Sequence, residues 1–490
     1  MTKFVAFVAK ALCTILCVSL FGASAVYAQS DFVSRWAVAD TNRQIQLPLP
    51  QRYSYNFVVD WGDGAVGHVS SFDDPDALHE YDEAGTYTVT IAGMMEAWSF
   101  LKYPASKDSI VEVSSLGDTG LRSMYGAFTA CENLVRVAGG NVSAVEDFSY
   151  AFFSAPLVEI GVADWDTAQA RLMMHMFDNA RSANPDVSAW NVARVERMDG
   201  MFRRTAVANP DVRRWNTVAL RSVSGMFENA AVANPDISAW DVYSITDMSY
   251  MFANAAVANP DVSAWDVSGV INMRGMFLQA QVANPDVSKW DMQSATDISF
   301  MFAATTVANP DVSAWDTATV NNMRAVFMQA KTANPDVSGW STAAVTDMGY
   351  MFSMTPVANP DVSSWDTSSV EDMSAMFYRS EVASPDVSAW DVSKVQYMNR
   401  IFQHAQAAQP DVRRWNFASM VDMDKAFSYI TLPTEVYSLM LIRIVETSPL
   451  MKVSGVAIDG GNSRYSDAGY LARRILANRG WRIRDQGRLY

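Results

Sequence analysis

Cysteine is nearly absent. The chain has 490 residues and three cysteines, and two of these, Cys13 and Cys17, lie in an apolar leader. Cys131 alone cannot close an internal disulfide, so the fold has to be held by burial; it follows "YGAFTA" and is expected in an apolar layer. Histidine is scarce too: His68, His79, His175 and His404 are scattered, with no H-x-x-x-H spacing for a metal. There is no G-x-S-x-G, no P-loop and no Cys–His constellation. An enzyme is not expected, because a catalytic site has to differ from the surface around it. Basic charge is short, with 37 Lys and Arg against 53 Asp and Glu and a net charge of −16. That balance argues against nucleic acid, whose phosphates demand cations. Beyond the leader no run of 18 apolar residues is present, so no transmembrane helix is expected. No LPxTG wall-anchoring motif is seen.

What is present begins with that leader. Lys3 and Lys10 precede the apolar stretch "ALCTILCVSLFGASAVYA", and Val26 and Ala28 fit the small-residue positions before a cut. Residues 1–28 therefore read as a signal peptide, and the protein is expected to be secreted or held at the cell surface. Removing two lysines and no acids takes the net charge from −16 to −18. Half the residues are apolar, enough for a large core.

The dominant feature is repetition. Tryptophan recurs from Trp165 to Trp415 at an unbroken spacing of 25, a phenylalanine row runs from Phe152 to Phe427, and a proline row from Pro185 to Pro410. A period of this length means one small unit stacked on copies of itself. The core is expected to hold Trp190, Trp215, Trp240, Trp265, Trp290, Trp315, Trp340, Trp365 and Trp390 with Phe202, Phe227, Phe252 and Phe277. Val257, Pro260 and Val262 follow an L-x-x-L-x-L spacing, and a short strand is expected from Pro260. Met248, Met251, Phe252 and Ala255 fall at i, i+3, i+4 and i+7, which predicts a short helix capped by Thr246 or Asp247. The fold class expected is an α/β solenoid, a leucine-rich-repeat-like stack of parallel short strands and short helices. A small β-rich cap is expected before it and an α/β cap after it.

Finer variation sits on the period. Tyr250, Phe300 and Tyr350 occupy one slot, with Gly275, Ala325 and Ala375 in the coils between and Arg274 and Arg324 beside the small residues. Arginines stacked on rings are expected there.

Two stretches resemble known families. "FVVDWGDGAVG" (57–67) and "HEYDEAGTYTVTIAG" (79–93) look like a polycystic-kidney-disease-type β-domain, with its W-G-D-G turn and closing G-T-Y-T-V strand. "DISAWDVYSITDMSYMF" (236–252) and "DVSSWDTSSVEDMSAMF" (361–377) resemble the repeats of BspA-like leucine-rich-repeat surface proteins of bacteria. The degenerate entry at 115–134 and the tail at 455–487 are similar to segments that flank such repeats. The domain reading is a signal at 1–28, a PKD-like β-rich region at 29–100, degenerate first repeats at 101–160, regular repeats at 161–430 and a C-terminal cap at 431–490. The resemblance implies a non-catalytic surface protein that binds protein or glycan ligands. The alternative is a structural spacer.

Candidate binding residues are few. Asp211, Asp236, Asp261, Asp286, Asp311, Asp336 and Asp361 form a row of like charges expected to face outward. At roughly 4.8 Å apart such charges repel. Serine or backbone hydrogen bonds would relieve them, and so would Ca²⁺ bound between coils, the one cofactor this sequence brings to mind. Asn184 to Asn359 form a second row, expected to satisfy backbone groups. "DVRRWN" occurs twice and puts Arg213, Arg214, Arg413 and Arg414 on an otherwise acidic surface, where an anionic partner would meet them. The oligomeric state cannot be read from the sequence.

Overall fold

The computed structural model describes residues 30–102, 104–157, 159–448 and 456–489. The leader at 1–28 lies outside them.

Alternating apolar residues build the N-terminal sheet. Strands β1 (Phe32–Val38), β3 (Tyr55–Asp60) and β6 (Gly85–Met95) pair antiparallel and bury every second side chain, among them Phe32, Trp36, Phe57, Val59 and Val89. Strand β4 (Val66–Val69) forms the edge beside β3. The turn between them needs its glycine. Gly62 has φ +82°, and a Cβ there would lie 2.4 Å from the Thr88 carbonyl oxygen. Short strands β2 (Gln44–Gln46) and β5 (Leu78–Glu80) form a separate pair. On the other side of β1 lies β7 (Ile110–Ser115), antiparallel to it, followed by β8 (Arg136–Val137) and β9 (Glu159–Ile160) in parallel. The seven-stranded sheet is thus mixed, in the order β4-β3-β6-β1-β7-β8-β9. It does not stop against the first coils but runs into them.

From there each stretch of 25 residues is one coil laid on the last. Single parallel bridges link Ser123 to Asp147, Asp147 to Leu172, and so on to Asp422. Thirteen phenylalanine rings, Phe128 to Phe427, stack at centroid distances of 5.3 to 6.1 Å. The indoles lie nearly parallel as well, Trp265 and Trp290 at 6.5 Å and 6°. From Trp190 to Trp415 each indole N–H donates at 2.9 to 3.2 Å to a carbonyl of the preceding coil, as Trp290 does to Val262.

The α/β solenoid expected from the sequence is not what the chain adopts. Regular structure is mainly sheet, that sheet is mixed, and residues 161–430 contain neither a helix nor a strand. Among the described residues, α-helix is confined to α1 (Pro104–Lys107), α2 (Thr434–Thr447) and α3 (Asp467–Asn478). The expected helix at Met248–Ala255 fails because its amides serve the next coil. Met248, Tyr250, Phe252 and Asn254 donate to the carbonyls of Asn272, Arg274, Met276 and Leu278 at 2.7 to 2.9 Å. The amides in between close i+3 turns, such as Ala253 N–H to Tyr250 O at 3.0 Å. Tyr250 and Asn254 both take φ +56°, the left-handed region no α-helix contains. Met248, Met251, Phe252 and Ala255 are nevertheless buried, so the helical spacing marked the core face without the helix.

The expected strand at Pro260 is also missing. Proline brings no N–H, and the ladder at that side is carried by side chains. Each Asn Oδ1 accepts from a backbone N–H of the next coil, as Asn259 does from Asn284 at 2.9 Å and Asn359 from Ser384 at 2.8 Å. Val257 is not a core residue. With Val207, Val232, Val282, Val307, Val357 and Val382 it forms an exposed apolar row, each residue 43 to 46% accessible.

The far end is closed by α2 and α3, which pack on each other, and by a parallel pair of β10 (Ala457–Asp459) and β11 (Arg482–Arg484). Tyr437, Met440, Leu441 and Ile444 of α2 are buried against the last coil.

Trp290→Phe keeps most of the buried area but leaves the Val262 carbonyl without its donor. It is expected to cost about 1–3 kcal/mol, and Trp290→Ala about 3–5 kcal/mol. Chemical denaturation followed by tryptophan fluorescence, with hydrogen exchange at the neighbouring coils, measures both.

Candidate functional site

Most of the coil surface satisfies itself. The carboxylates of the Asp row are hydrogen-bonded two residues on. Asp236, Asp261, Asp286, Asp311, Asp336 and Asp361 each accept from the hydroxyl and the backbone N–H of the following serine, Asp261 from Ser263 at 2.7 and 3.1 Å. These serine bonds hold all six carboxyls below their ordinary value. In the coil lacking that serine, Arg213 takes its place and pairs with Asp211 at 2.8 Å. Arg413 pairs likewise with Asp411 at 2.6 Å. Arg214 and Arg414 are exposed. Among the described residues no three His, Cys, Asp or Glu side chains converge as metal ligands would. Cys131 is fully buried, and burial pushes its thiol pKa up.

Of two further carboxylate and amide rows the sequence reading named only Asp247, as the cap of a helix. Asp266 and its equivalents cap a second turn, with Asp266 accepting from Ser268, and Asp247, Asn272, Asp297 and Asp347 cap a third. Most coils therefore have three corners fastened by Asp or Asn side chains, exceptions including Ser341 at the second and Leu172, Arg197, Ser222 and Tyr397 at the third. The same 25-residue alignment that revealed the tryptophans contained these rows.

One region departs from this pattern. The third corner is followed by a left-handed residue, and along the coils that slot reads Tyr150, His175, Gly200, Gly225, Tyr250, Gly275, Phe300, Ala325, Tyr350 and Ala375, with φ of 52 to 61°. The rings lean over the next coil. A Cβ on Gly200 would lie 2.4 Å from His175 Nδ1, and one on Gly275 would lie 2.6 Å from Tyr250 Cε1. A Cβ on Gly225 would meet only Glu228. No ring leans over Gly225 because its predecessor, Gly200, has none to offer. The two consecutive glycines open a cleft of about 540 Å³ between His175 and Tyr250.

The cleft is polar. Arg197 pairs with the buried Asp199 at 2.8 Å, and the Ser222 hydroxyl also donates to that carboxylate. Arg203 pairs with Glu228 at 2.9 Å. Asp247 accepts from Ser249 N–H at 2.9 Å; the Arg197 charge acts on it from a distance, and among the described residues it forms no ion pair. Ser224 and Ser249 share a hydroxyl–hydroxyl bond at 2.8 Å. His175 stacks on Tyr150 at 5.0 Å and meets Asp178 at 3.0 Å. Asp178 also takes both Nε and Nη2 of Arg204 at 2.9 Å. Burial favours protonation of Asp178, but these bonds win and hold its carboxyl below the ordinary value. A one-residue-per-coil reading of this slot would have found the cleft, since Gly200 and Gly225 are consecutive small residues between the rings of His175 and Tyr250. Neither the Asp row nor the Arg pairs lines it.

A second cleft, of about 620 Å³, lies where the sheet meets the first coils. Tyr53, Phe72 and Tyr125 line it with Arg52 and Asp147. Desolvation raises the Asp147 carboxyl pKa.

A family model described as "Mycoplasma protein of unknown function, DUF285" matches the chain three times in tandem, at residues 122–240, 221–340 and 321–435. No curated protein matches. Among solved structures, the "Crystal structure of TLR13-ssRNA13 complex" is similar at 7% identity and a TM-score of 0.17, covering 76% of this chain and 62% of that one. A likeness that slight does not make the stack a solenoid of that kind.

The Asp178 carboxyl, held below its ordinary value, adds stability that is present above about pH 4 and is lost as pH falls through its depressed pKa. Asp178→Asn is expected to lower stability by about 1–3 kcal/mol at pH 7. The gap to the unsubstituted chain should close below about pH 4. Calorimetry from pH 7 down to acid checks the sign.

Proposed function

The chain belongs to the DUF285 family of repeat proteins, and from that premise we propose that it is an exported, non-catalytic binding scaffold. It meets protein or glycan partners at a cell surface. The observation that carries this reading is the cleft between His175 and Tyr250. A surface whose carboxylates and amides are fastened within the stack offers a partner little, and the cleft is where that economy lapses. The resemblance of "DISAWDVYSITDMSYMF" to BspA-like surface repeats supports the same reading, as does the PKD-like turn at Trp61–Gly64. Export rests on the signal-like stretch at 1–28.

A spacer is the second reading, favoured by the unbroken phenylalanine column and the self-satisfied Asp row. A rod of this kind needs no ligand. In the calcium form of this reading the ion would sit on the Asp row, in competition with the serine bonds already there.

An unbiased protein and glycan array probed with residues 29–490 separates the two. Reproducible partners are expected, with a melting temperature unchanged by EDTA. A silent array would leave only the spacer, and a melting temperature lowered by EDTA would put calcium on the Asp row.

A further inference from the structure

The cleft has an internal template for its occupant. Over residues 250–350 the slot alternates ring and small residue, and an arginine from the residue before each small one lies over the next ring. The Arg274 guanidinium sits 4.8 Å from the Phe300 centroid and 5.9 Å from the Tyr250 centroid, and donates to the Tyr250 hydroxyl. It also donates to Ser299 Oγ at 2.8 Å and lies 3.8 Å from Asp297. Fifty residues on, Arg324 repeats the arrangement. It lies 4.8 Å from the Tyr350 centroid, 3.3 Å from Asp347 and 2.9 Å from Asp372.

Fifty residues back, the ring, the carboxylate and the serine of the Arg274 seat are present without the arginine, and Gly200 stands where Tyr250 gives Arg274 its second ring and hydroxyl. Tyr250 stands where Phe300 and Tyr350 stand, and Asp247 where Asp297 and Asp347 stand. Ser249 stands where Ser299 receives Arg274, and Gly225 where Gly275 and Ala325 leave room. The arginine position itself is Ser224, whose hydroxyl only reaches Ser249. The cleft's own arginines are engaged, Arg197 by Asp199 and Arg203 by Glu228; Asp247 feels the charge of Arg197, but among the described residues it forms no ion pair of its own.

We infer that the cleft receives an arginine side chain of a partner protein. The guanidinium takes the seat that Arg274 and Arg324 fill in their own coils, its plane against Tyr250 and its N–H groups on Asp247 and Ser249. A planar guanidinium suits this seat better than an ammonium, because it stacks on a ring while donating in its plane. The chain's net charge of −16 draws a basic partner toward it. This inference rests on the binding reading above and names the chemistry of its partner.

The test titrates N-acetyl-arginine amide, with N-acetyl-lysine amide as control, into residues 29–490 by NMR or calorimetry. Saturable binding of the arginine probe is expected, at least about tenfold tighter than the lysine probe, since the stacked planar contact is lost with an ammonium. Asp247→Asn and Tyr250→Ala should each weaken it about tenfold, the loss of one charge or one ring contact. Ser224→Arg should fold, fill the seat from within, raise the melting temperature and abolish probe binding. Equal binding of the two probes, no binding, or binding that survives Ser224→Arg overturns the inference. If Ser224→Arg fails to fold, the Asp247→Asn comparison decides alone. Array partners that persist with Ser224→Arg would sink the arginine seat and leave the scaffold standing. A silent array with a bound arginine probe would do the reverse.

Discussion

Everything in the repeat region depends on hydrogen bonds that leave one coil and end in the next. A helix or a hairpin satisfies its amides locally, so it can exist in outline before it packs. Here Tyr250 N–H finds its acceptor on Arg274, 24 residues later, and Trp265 Nε1 finds its own on Ile237, 28 residues earlier. A coil alone would leave these donors to water and its Phe and Trp rings exposed. Folding free energy therefore resides between coils, at roughly 1.5–3 kcal/mol for each large side chain buried. Stability of this kind propagates along the array from neighbour to neighbour. The seven-stranded sheet has the role of a starter: β7, β8 and β9 present a regular parallel ladder on which the first irregular coils can lie. At the other end α2 buries Tyr437 and Leu441 and reaches the last coil through Thr447, whose hydroxyl accepts from Phe417 N–H.

The period itself was plain in the sequence, because a buried tryptophan facing the same neighbours in every coil recurs at one spacing. Burial was legible for the same reason: Trp265, Phe277 and Met273 are all inside. Local backbone geometry was not. Met248, Met251, Phe252 and Ala255 have the spacing of a helix face, and two left-handed turns place the same four residues inward without one. Side-chain identity gives no warning, since tyrosine, phenylalanine and methionine all accept positive φ here: Tyr250, Phe300 and Met354 do so at 56 to 60°. The strain, on the order of 1 kcal/mol per residue, is outweighed by the amide bonds to the next coil. Val257 misled in the opposite sense. It follows the L-x-x-L-x-L spacing yet is 44% accessible, two residues before Asn259, whose Oδ1 accepts from the next coil.

Charge follows the same logic. A row of carboxylates one coil apart looks like a request for a cation. Serine two residues on answers it with a neutral hydroxyl and a backbone N–H, and each carboxyl is held ionised by its own turn. Where arginine replaces that serine, as in "DVRRWN", it pairs with the aspartate two residues before it, while Arg214 and Arg414 face solvent beside it. The Asp row and the Arg pairs were the natural places to look for a ligand, and both are largely occupied by their own chain.

A perfect repeat cannot mark one place as different from another, so a site on such a stack has to be written as a fault in the period. The fault here is two glycines in succession, Gly200 and Gly225, placed between the rings of Tyr150 and His175 and the alternation of ring and small residue that runs from Tyr250 to Ala375. Its effect is local because the left-handed turn is kept: glycine holds the same φ of 58 to 59° that Tyr250 holds at 56°, so the backbone ladder passes through unchanged while the ring disappears. The amide of Gly225 still reaches Ser249 O at 2.7 Å, and the phenylalanines behind it, Phe202 and Phe227, still stack at 5.7 Å. Fold and recognition are thereby separated onto different atoms. The backbone and the Phe and Trp columns keep the rod intact, and the outward slot is free to lose a ring, or to carry His175 or Tyr250, without disturbing the coils beneath.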